Sequence, residues 1–72
     1  MKLTLSTSKI ESIHGPYLEN PQDSFYRLNI CYPGDIIYRI KGNKEHLENL
    51  LKDITHSFQW VTLEVNEDFE II

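Results

Sequence analysis

Apolar and polar residues alternate in four segments of the chain, which is the pattern of half-buried β-strands. The first segment surrounds Leu3 and Leu5, and the last is FQWVTLEV, residues 58–65. Between them lie FYRLNICY, residues 25–32, and IIYRIK, residues 36–41. The residues predicted to point inward from the last three segments are Tyr26, Leu28, Ile30, Tyr32, Ile36, Tyr38, Ile40, Val61, Leu63 and Val65.

The two central segments are predicted to form a β-hairpin, because residues 33–35, Pro-Gly-Asp, separate them. A two-residue Pro-Gly loop would set Ile30 opposite Ile37, and the apolar faces of the two strands would then disagree. A three-residue loop pairs Tyr32 with Ile36 and keeps one face of the hairpin apolar throughout. We therefore predict the three-residue loop.

A helix is predicted after the hairpin, in KEHLENLLKDITHS, residues 44–57. Asn43 precedes it and is a suitable N-cap residue. The apolar residues recur at the three- and four-residue spacing of a single helix face. The predicted buried stripe is Leu47, Leu50, Leu51, Ile54 and Phe58.

These elements predict an α+β fold in a single domain, residues 1–72. We expect a small antiparallel sheet of about four strands, in the sequence order β-β-β-α-β, with the helix packed on one face. The segment HGPYLENPQDS, residues 14–24, contains two prolines and a glycine and is predicted to be an irregular loop. Residues 66–72 are predicted to form an acidic C-terminal strand or tail.

The composition, 40% hydrophobic and 25% charged residues, is typical of a soluble globular protein. A chain of 72 residues is close to the size at which an unaided core becomes marginal, so a deep catalytic cleft is not expected. No apolar run reaches the roughly 18 residues of a membrane span, and the first residues lack the apolar stretch of a signal peptide. The single cysteine, Cys31, cannot form an internal disulfide, and we expect a cytoplasmic protein.

No arrangement of residues predicts catalysis, a metal or a cofactor. Cys31 has no base in a recognisable Cys-His pattern. The histidines His14, His46 and His56 lack the spacing of a metal site, and the three glycines are too widely separated for a phosphate-binding loop. We therefore expect a protein that is not an enzyme.

The formal charge of −4 is concentrated at the C-terminal end. Residues 1–63 hold seven acids and seven bases, and the other four of the eleven acids are Glu64, Glu67, Asp68 and Glu70. Three interpretations are open. The segment is a turn and short strand whose carboxylates are solvated, an interaction strand that joins a partner's sheet edge, or a phosphate mimic that occupies the basic groove of a nucleic-acid-binding protein.

The sheet face away from the helix is predicted to carry three bases and an aromatic residue. The hairpin register sets Arg27 opposite Lys41, and like charges directly opposite each other are destabilising. The compensation is either internal, from Glu64 or a tail that folds back, or external, from a single-stranded nucleic acid. The net negative charge makes nucleic acid the less favoured partner. The residues of this alternative nucleic-acid surface are Arg27, Arg39, Lys41 and Trp60.

The leading functional hypothesis is a non-catalytic, small acidic module whose last strand and tail dock on a basic surface of another protein, as a stoichiometric inhibitor or adaptor. In size and charge the chain is similar to inhibitors encoded by phages and mobile elements, including those of the anti-CRISPR type. The four C-terminal acids would attract the partner, and the predicted anchors are Trp60, Phe69 and Tyr17. The alternatives are a subunit that self-associates through a strand edge, for example as a homodimer, and a weak single-stranded nucleic-acid binder.

Overall fold

The computed structural model describes residues 1–56 and 59–72. Within these residues, one α-helix and five strands form two antiparallel sheets, so the α+β class is confirmed. The sequence predicts four strands in one sheet, whereas the observed order is β-β-β-β-α-β, with a short 3-10 turn, Thr7–Lys9, after the first strand. The elements are β1, Lys2–Ser6; β2, Ser12–Tyr17; β3, Tyr26–Tyr32; β4, Ile36–Gly42; α1, Lys44–His56; and β5, Trp60–Glu64.

The strands are divided between a two-stranded sheet, β1–β5, and a three-stranded sheet in the order β2–β3–β4. The β3–β4 hairpin has the predicted three-residue loop, with Tyr32 opposite Ile36. Two loop residues, Gly34 and Asp35, have φ values of 84° and 62°. A left-handed backbone at such positions is usual in three-residue hairpin loops, and glycine adopts it without strain.

Strand β2 is the main departure from the sequence prediction, because it occupies the first part of the loop expected at residues 14–24. The irregular connection is therefore shorter, residues 18–25. The pairing of β2 with β3 shifts in register near Gly15, whose φ is 117°. A Cβ atom at Gly15 would lie 2.6 Å from the backbone oxygen of Arg27. Glycine thus permits a strand irregularity here, although its neighbours suggest a loop.

The helix covers the core with the face that its sequence predicts. The Asn43 Oδ1 accepts a hydrogen bond from the backbone N–H of His46 at 2.7 Å, which confirms Asn43 as the N-cap residue. Leu51 is half-buried, and the predicted stripe residue Phe58 lies outside the described residues. The buried side chains come from α1 and from both sheets: Leu5, Leu28, Ile30, Ile40, Leu47, Leu50, Ile54, Val61 and Val65.

The C-terminal segment connects the two sheets. On one side, the N–H of Lys41 donates to the oxygen of Phe69 at 2.9 Å, and the N–H of Ile71 donates to the oxygen of Lys41 at 2.8 Å. On the other side, the N–H of Ile72 donates to the oxygen of Glu64 at 3.2 Å. Residues 69–72 are thus hydrogen-bonded to both sheets, which disfavours the interpretation of this segment as a strand that joins a partner's sheet.

Candidate interaction surfaces

A groove of about 620 Å³ lies between the two sheets, at the loop end of the hairpin. One wall is formed by β1 and by the first residue of β5. The other wall is the β3–β4 hairpin, and residues 8–11 also line the groove. We call this concavity the Trp60 groove, and the residues that line it include Thr4, Ser6, Tyr32, Ile36, Tyr38 and Trp60.

Two large apolar side chains of the groove are exposed to solvent, Trp60 by 59% and Ile36 by 52%. The sequence assigns Ile36 correctly to the apolar face of the hairpin, but at the loop end this face is exposed among residues 1–56 and 59–72. Ile36 and Tyr32 are not among the predicted site residues, although their position beside the hairpin loop could have indicated them. An exposed Trp and Ile in one concavity are typical of an interaction site.

The aromatic part of the groove is formed by Tyr32 and Tyr38, whose rings meet edge to face with centroids 5.6 Å apart. The Tyr32 hydroxyl donates a hydrogen bond to the backbone oxygen of Ser6 at 3.3 Å, which ties the hairpin to β1. Burial raises the pKa of Tyr32 above its ordinary value. The hydroxyl is therefore protonated at neutral pH and remains a donor.

The acidic residues lie at the other end of β5 from Trp60. Glu64 shares the outer face of the strand with Trp60 and is four residues away, about 13 Å along a β-strand. Glu67 and Asp68 follow in a tight turn and are exposed. Neither forms an ion pair with a described residue, whereas Glu64 lies 3.9 Å from the amino group of Met1. We call Glu64, Glu67 and Asp68 the acidic end.

The turn at the acidic end is held by Asn66. Its Oδ1 accepts hydrogen bonds from the N–H of Asp68 at 2.8 Å and of Glu70 at 3.1 Å, and its Nδ2 donates to Glu70 Oε1 at 3.2 Å. Phe69, with a φ of 60°, packs edge-on against Tyr38 with centroids 6.2 Å apart. Glu70 and Phe69, predicted as partner-binding residues, are thus engaged inside the molecule because the segment folds back.

The predicted bases lie on the outer face of the three-stranded sheet. Arg27 Nε is 2.7 Å from Glu19 Oε2, and Arg27 Nη2 is 4.0 Å from Asp23 Oδ2. The Phe25 ring centroid lies 5.2 Å from the Arg27 guanidinium and 5.4 Å from Lys41 Nζ. The Arg27–Lys41 pair is therefore compensated within the molecule. The compensating groups belong to the β2–β3 loop, and not to the C-terminal acids as expected.

Arg39 is exposed on the same face, opposite Asn29 as predicted. Asn29 Nδ2 donates to the Tyr17 hydroxyl at 2.9 Å, so Tyr17, which is 36% exposed, lies with the bases and not at the acidic end. Trp60 belongs to the other sheet, so the predicted set does not form one platform. We call Arg27, Arg39 and Lys41 the basic face.

No group of three His, Cys, Asp or Glu side chains among residues 1–56 and 59–72 is placed to hold a metal ion. Within the same ranges, no helix has the length and apolarity needed to cross a membrane. Comparison with protein-family models, with curated proteins and with solved structures gave no match. The surfaces available for a functional interpretation are the Trp60 groove, the acidic end and the basic face.

Proposed function

We propose that the protein is a non-catalytic binding module that docks on another protein through the Trp60 groove and the acidic end. The observation that supports this proposal is the exposure of Trp60 and Ile36 in one concave surface. A partner that removes such side chains from water gains binding free energy. Trp is also enriched among the residues whose truncation weakens protein interfaces most.

The acidic end defines the charge of the partner. Glu67 and Asp68 are exposed and form no ion pair with a described residue, so they attract basic groups at long range. The separation of Trp60 and Glu64, about 13 Å along β5, fits within one interface of standard size. The partner is therefore a protein with an apolar protrusion beside Lys or Arg. Occupation of that surface is how a stoichiometric inhibitor or adaptor acts.

Nucleic acid is a weaker candidate partner for the basic face. Arg27 already has two acidic neighbours, and its side chain is only 19% exposed. Trp60, the residue that was expected to stack bases, lies on the other sheet. Binding to single-stranded DNA or RNA at low salt, lost on replacement of Arg39, would reverse this preference.

Capture of partners from an extract of the source cells tests the role of the groove with a matched pair of variants. Ile36→Ser changes a groove residue, and Ile37→Ser changes its neighbour on the opposite face, which is 45% exposed. We expect the wild type and Ile37→Ser to retain the same partner, and Ile36→Ser and Trp60→Ala to bind it about tenfold more weakly or worse. Retention of the partner by all four proteins would contradict the proposal.

A second pair of variants tests the acidic end. Glu67→Gln with Asp68→Asn removes two charges beside the proposed interface, and Glu45→Gln with Glu48→Gln removes two exposed charges from α1. We expect the first pair to slow association and to reduce its salt dependence more than the second pair does. Equal effects would mean that the net charge of the protein matters, and not the position of the acids.

A further inference from the structure

One edge of β1 is not paired with any other strand that the structure describes. Met1 and Val65 exchange two hydrogen bonds, with N···O distances of 2.7 and 2.9 Å, and the N–H of Thr7 donates to Gln59 at 2.9 Å. In an antiparallel pair, residues with both groups toward the partner alternate with residues whose groups point away. The peptide groups of Lys2, Thr4 and Ser6 therefore point away from β5. We call this side of the strand the β1 edge.

The β1 edge faces the Trp60 groove. The oxygen of Ser6, one of the groups that point away from β5, accepts its hydrogen bond from Tyr32, a residue of the opposite wall. Thr4 and Ser6 line the same wall. The outward N–H and C=O of Thr4 form no hydrogen bond with a described residue. Unpaired edge groups of this kind are a template for another strand.

The two ends of the β1 edge differ in polarity, and this difference favours one direction for an added strand. β1 begins beside the acidic end, since Met1 and the turn residues Glu67 and Asp68 line one shallow cleft. The strand ends at Ser6, opposite Trp60. A strand that pairs along this edge therefore meets the apolar groove at one end and carboxylates at the other, about 13 Å away.

We infer that the β1 edge and the Trp60 groove together bind an extended peptide segment of the partner protein, which adds to β1 as an antiparallel strand. This inference rests on the proposed function and specifies its binding mode. The segment has a large apolar side chain in the groove, between Trp60 and Ile36. A Lys or Arg four residues later in the segment lies on the same strand face, at the acidic end, where the three carboxylates of Glu64, Glu67 and Asp68 outnumber the single charge of the neighbouring Lys2 side chain.

A second copy of the chain is a poorer occupant of this edge. If β1 of another copy paired here, the side chains on the outer face of its strand would be Lys2, Thr4 and Ser6. None of these is a large apolar residue, so the exposed Trp60 and Ile36 would gain no matching side chain. A partner segment with an aromatic or branched apolar residue fits the groove better.

Selection of short random peptides that bind the wild-type protein, followed by binding measurements with variants, tests the inference. Thr4→Pro removes the outward N–H without removing a bond to β5, and proline is accepted at such edge positions. Thr4→Val is the matched control, because both variants lose the 3.2 Å contact between Thr4 Oγ1 and Thr62 Oγ1. We expect selected peptides to carry an apolar residue followed four positions later by Lys or Arg, and to bind Thr4→Pro about tenfold more weakly than Thr4→Val.

Methylation of single backbone nitrogens in a selected peptide gives a test that needs no variant of the protein. Strand addition at one edge uses the N–H of every second peptide residue, so methylation should block binding at alternate positions only. Peptides that require Ile36 but bind Thr4→Pro and Thr4→Val equally, without this alternation, would overturn the strand mode and leave the proposed function standing. Selection of no peptide, or sedimentation that shows a dimer lost in Thr4→Pro and retained in Thr4→Val, would also overturn it.

Discussion

The basic face and the acidic end differ in what their charges contact. Arg27 has Glu19 at 2.7 Å and the Phe25 ring at 5.2 Å, and its side chain is 19% exposed. Glu67 and Asp68 are exposed at the tip of a turn and form no ion pair with a described residue. At the basic face, the Arg27 charge therefore interacts with other groups of the molecule. At the acidic end, the charges of Glu67 and Asp68 are solvated.

This difference distinguishes charges that stabilise the fold from charges that are available to a partner. Removal of a shielded charge with an opposite charge and an aromatic ring beside it should lower the free energy of unfolding. Removal of a solvated charge should leave that free energy almost unchanged and affect only association. Substitutions in the two surfaces, and in the backbone contacts that support them, test this distinction.

The largest effect is expected where β2 meets β3, because this contact supports the basic face. In Gly15→Ala the new Cβ would lie 2.6 Å from the oxygen of Arg27, so we expect a loss of about 2–3 kcal/mol in the free energy of unfolding. Gly34→Ala is the control, since its φ of 84° is also left-handed but no atom lies within 4 Å, and it should cost about 1 kcal/mol. Urea unfolding of both variants measures the difference, and equal losses would contradict a tight β2–β3 contact.

The next largest effect is expected at the turn that holds the acidic end. Asn66→Ala removes the acceptor for the N–H groups of Asp68 and Glu70, and we expect it to cost about 1–2 kcal/mol. Asn66→Asp keeps an oxygen at the acceptor position but replaces the donor to Glu70 Oε1 by a second carboxylate. The two Asn66 variants are therefore compared in a Glu70→Gln background, where Asn66→Asp should lose less. Urea unfolding gives the two free energies, and amide exchange at Asp68 and Glu70 reports the turn directly. A larger loss in Asn66→Asp would mean that charge repulsion, and not the two hydrogen bonds, governs the turn.

A smaller effect is expected from the shielded base. Arg27→Met keeps much of the apolar stem but loses the contacts with Glu19 and Phe25, and it should lower the free energy of unfolding by about 1 kcal/mol. Arg39→Met, on the same face but exposed and without an ion pair to a described residue, should change it by less than about 0.5 kcal/mol. Thermal and urea unfolding of the two variants compare them. Equal losses would contradict the view that Arg27 is specifically compensated.

The parts of the fold that could be predicted from the sequence are those decided by neighbouring residues. The hairpin register could be predicted because only a three-residue loop keeps one face of both strands apolar. The N-cap could be predicted because Asn43 accepts its hydrogen bond from a residue only three positions later. The close approach of Gly15 to the backbone oxygen of Arg27, and the hydrogen bond from Lys41 to Phe69, join residues distant in the chain. Pro and Gly have the same local signature in a loop and in an irregular strand, so β2 was predicted as a loop.

The candidate site could be predicted in part for the same reason. Alternation places Trp60 on the outer face of its strand, and its exposure agrees with that pattern. The exposure of Ile36 depends on where the elements that cover the sheet end. The alternation of apolar and polar residues along the chain does not indicate this position. The engagement of Phe69 by Tyr38 depends on the fold of the whole C-terminal segment, and its sequence of alternating acids and apolar residues fits an exposed strand equally well.

The smallest effect on stability is expected at the acidic end itself. Glu67→Gln with Asp68→Asn should change the free energy of unfolding by less than about 0.5 kcal/mol, because both carboxylates are exposed and neither forms an ion pair with a described residue. The backbone N–H of Asp68 still reaches Asn66, so the turn is retained. Urea unfolding at low and at high salt measures the effect, and the two curves should shift equally for variant and wild type. A loss above about 1 kcal/mol that disappears at high salt would show that these acids already have partners in the monomer, and the contrast with Arg27 would then fail.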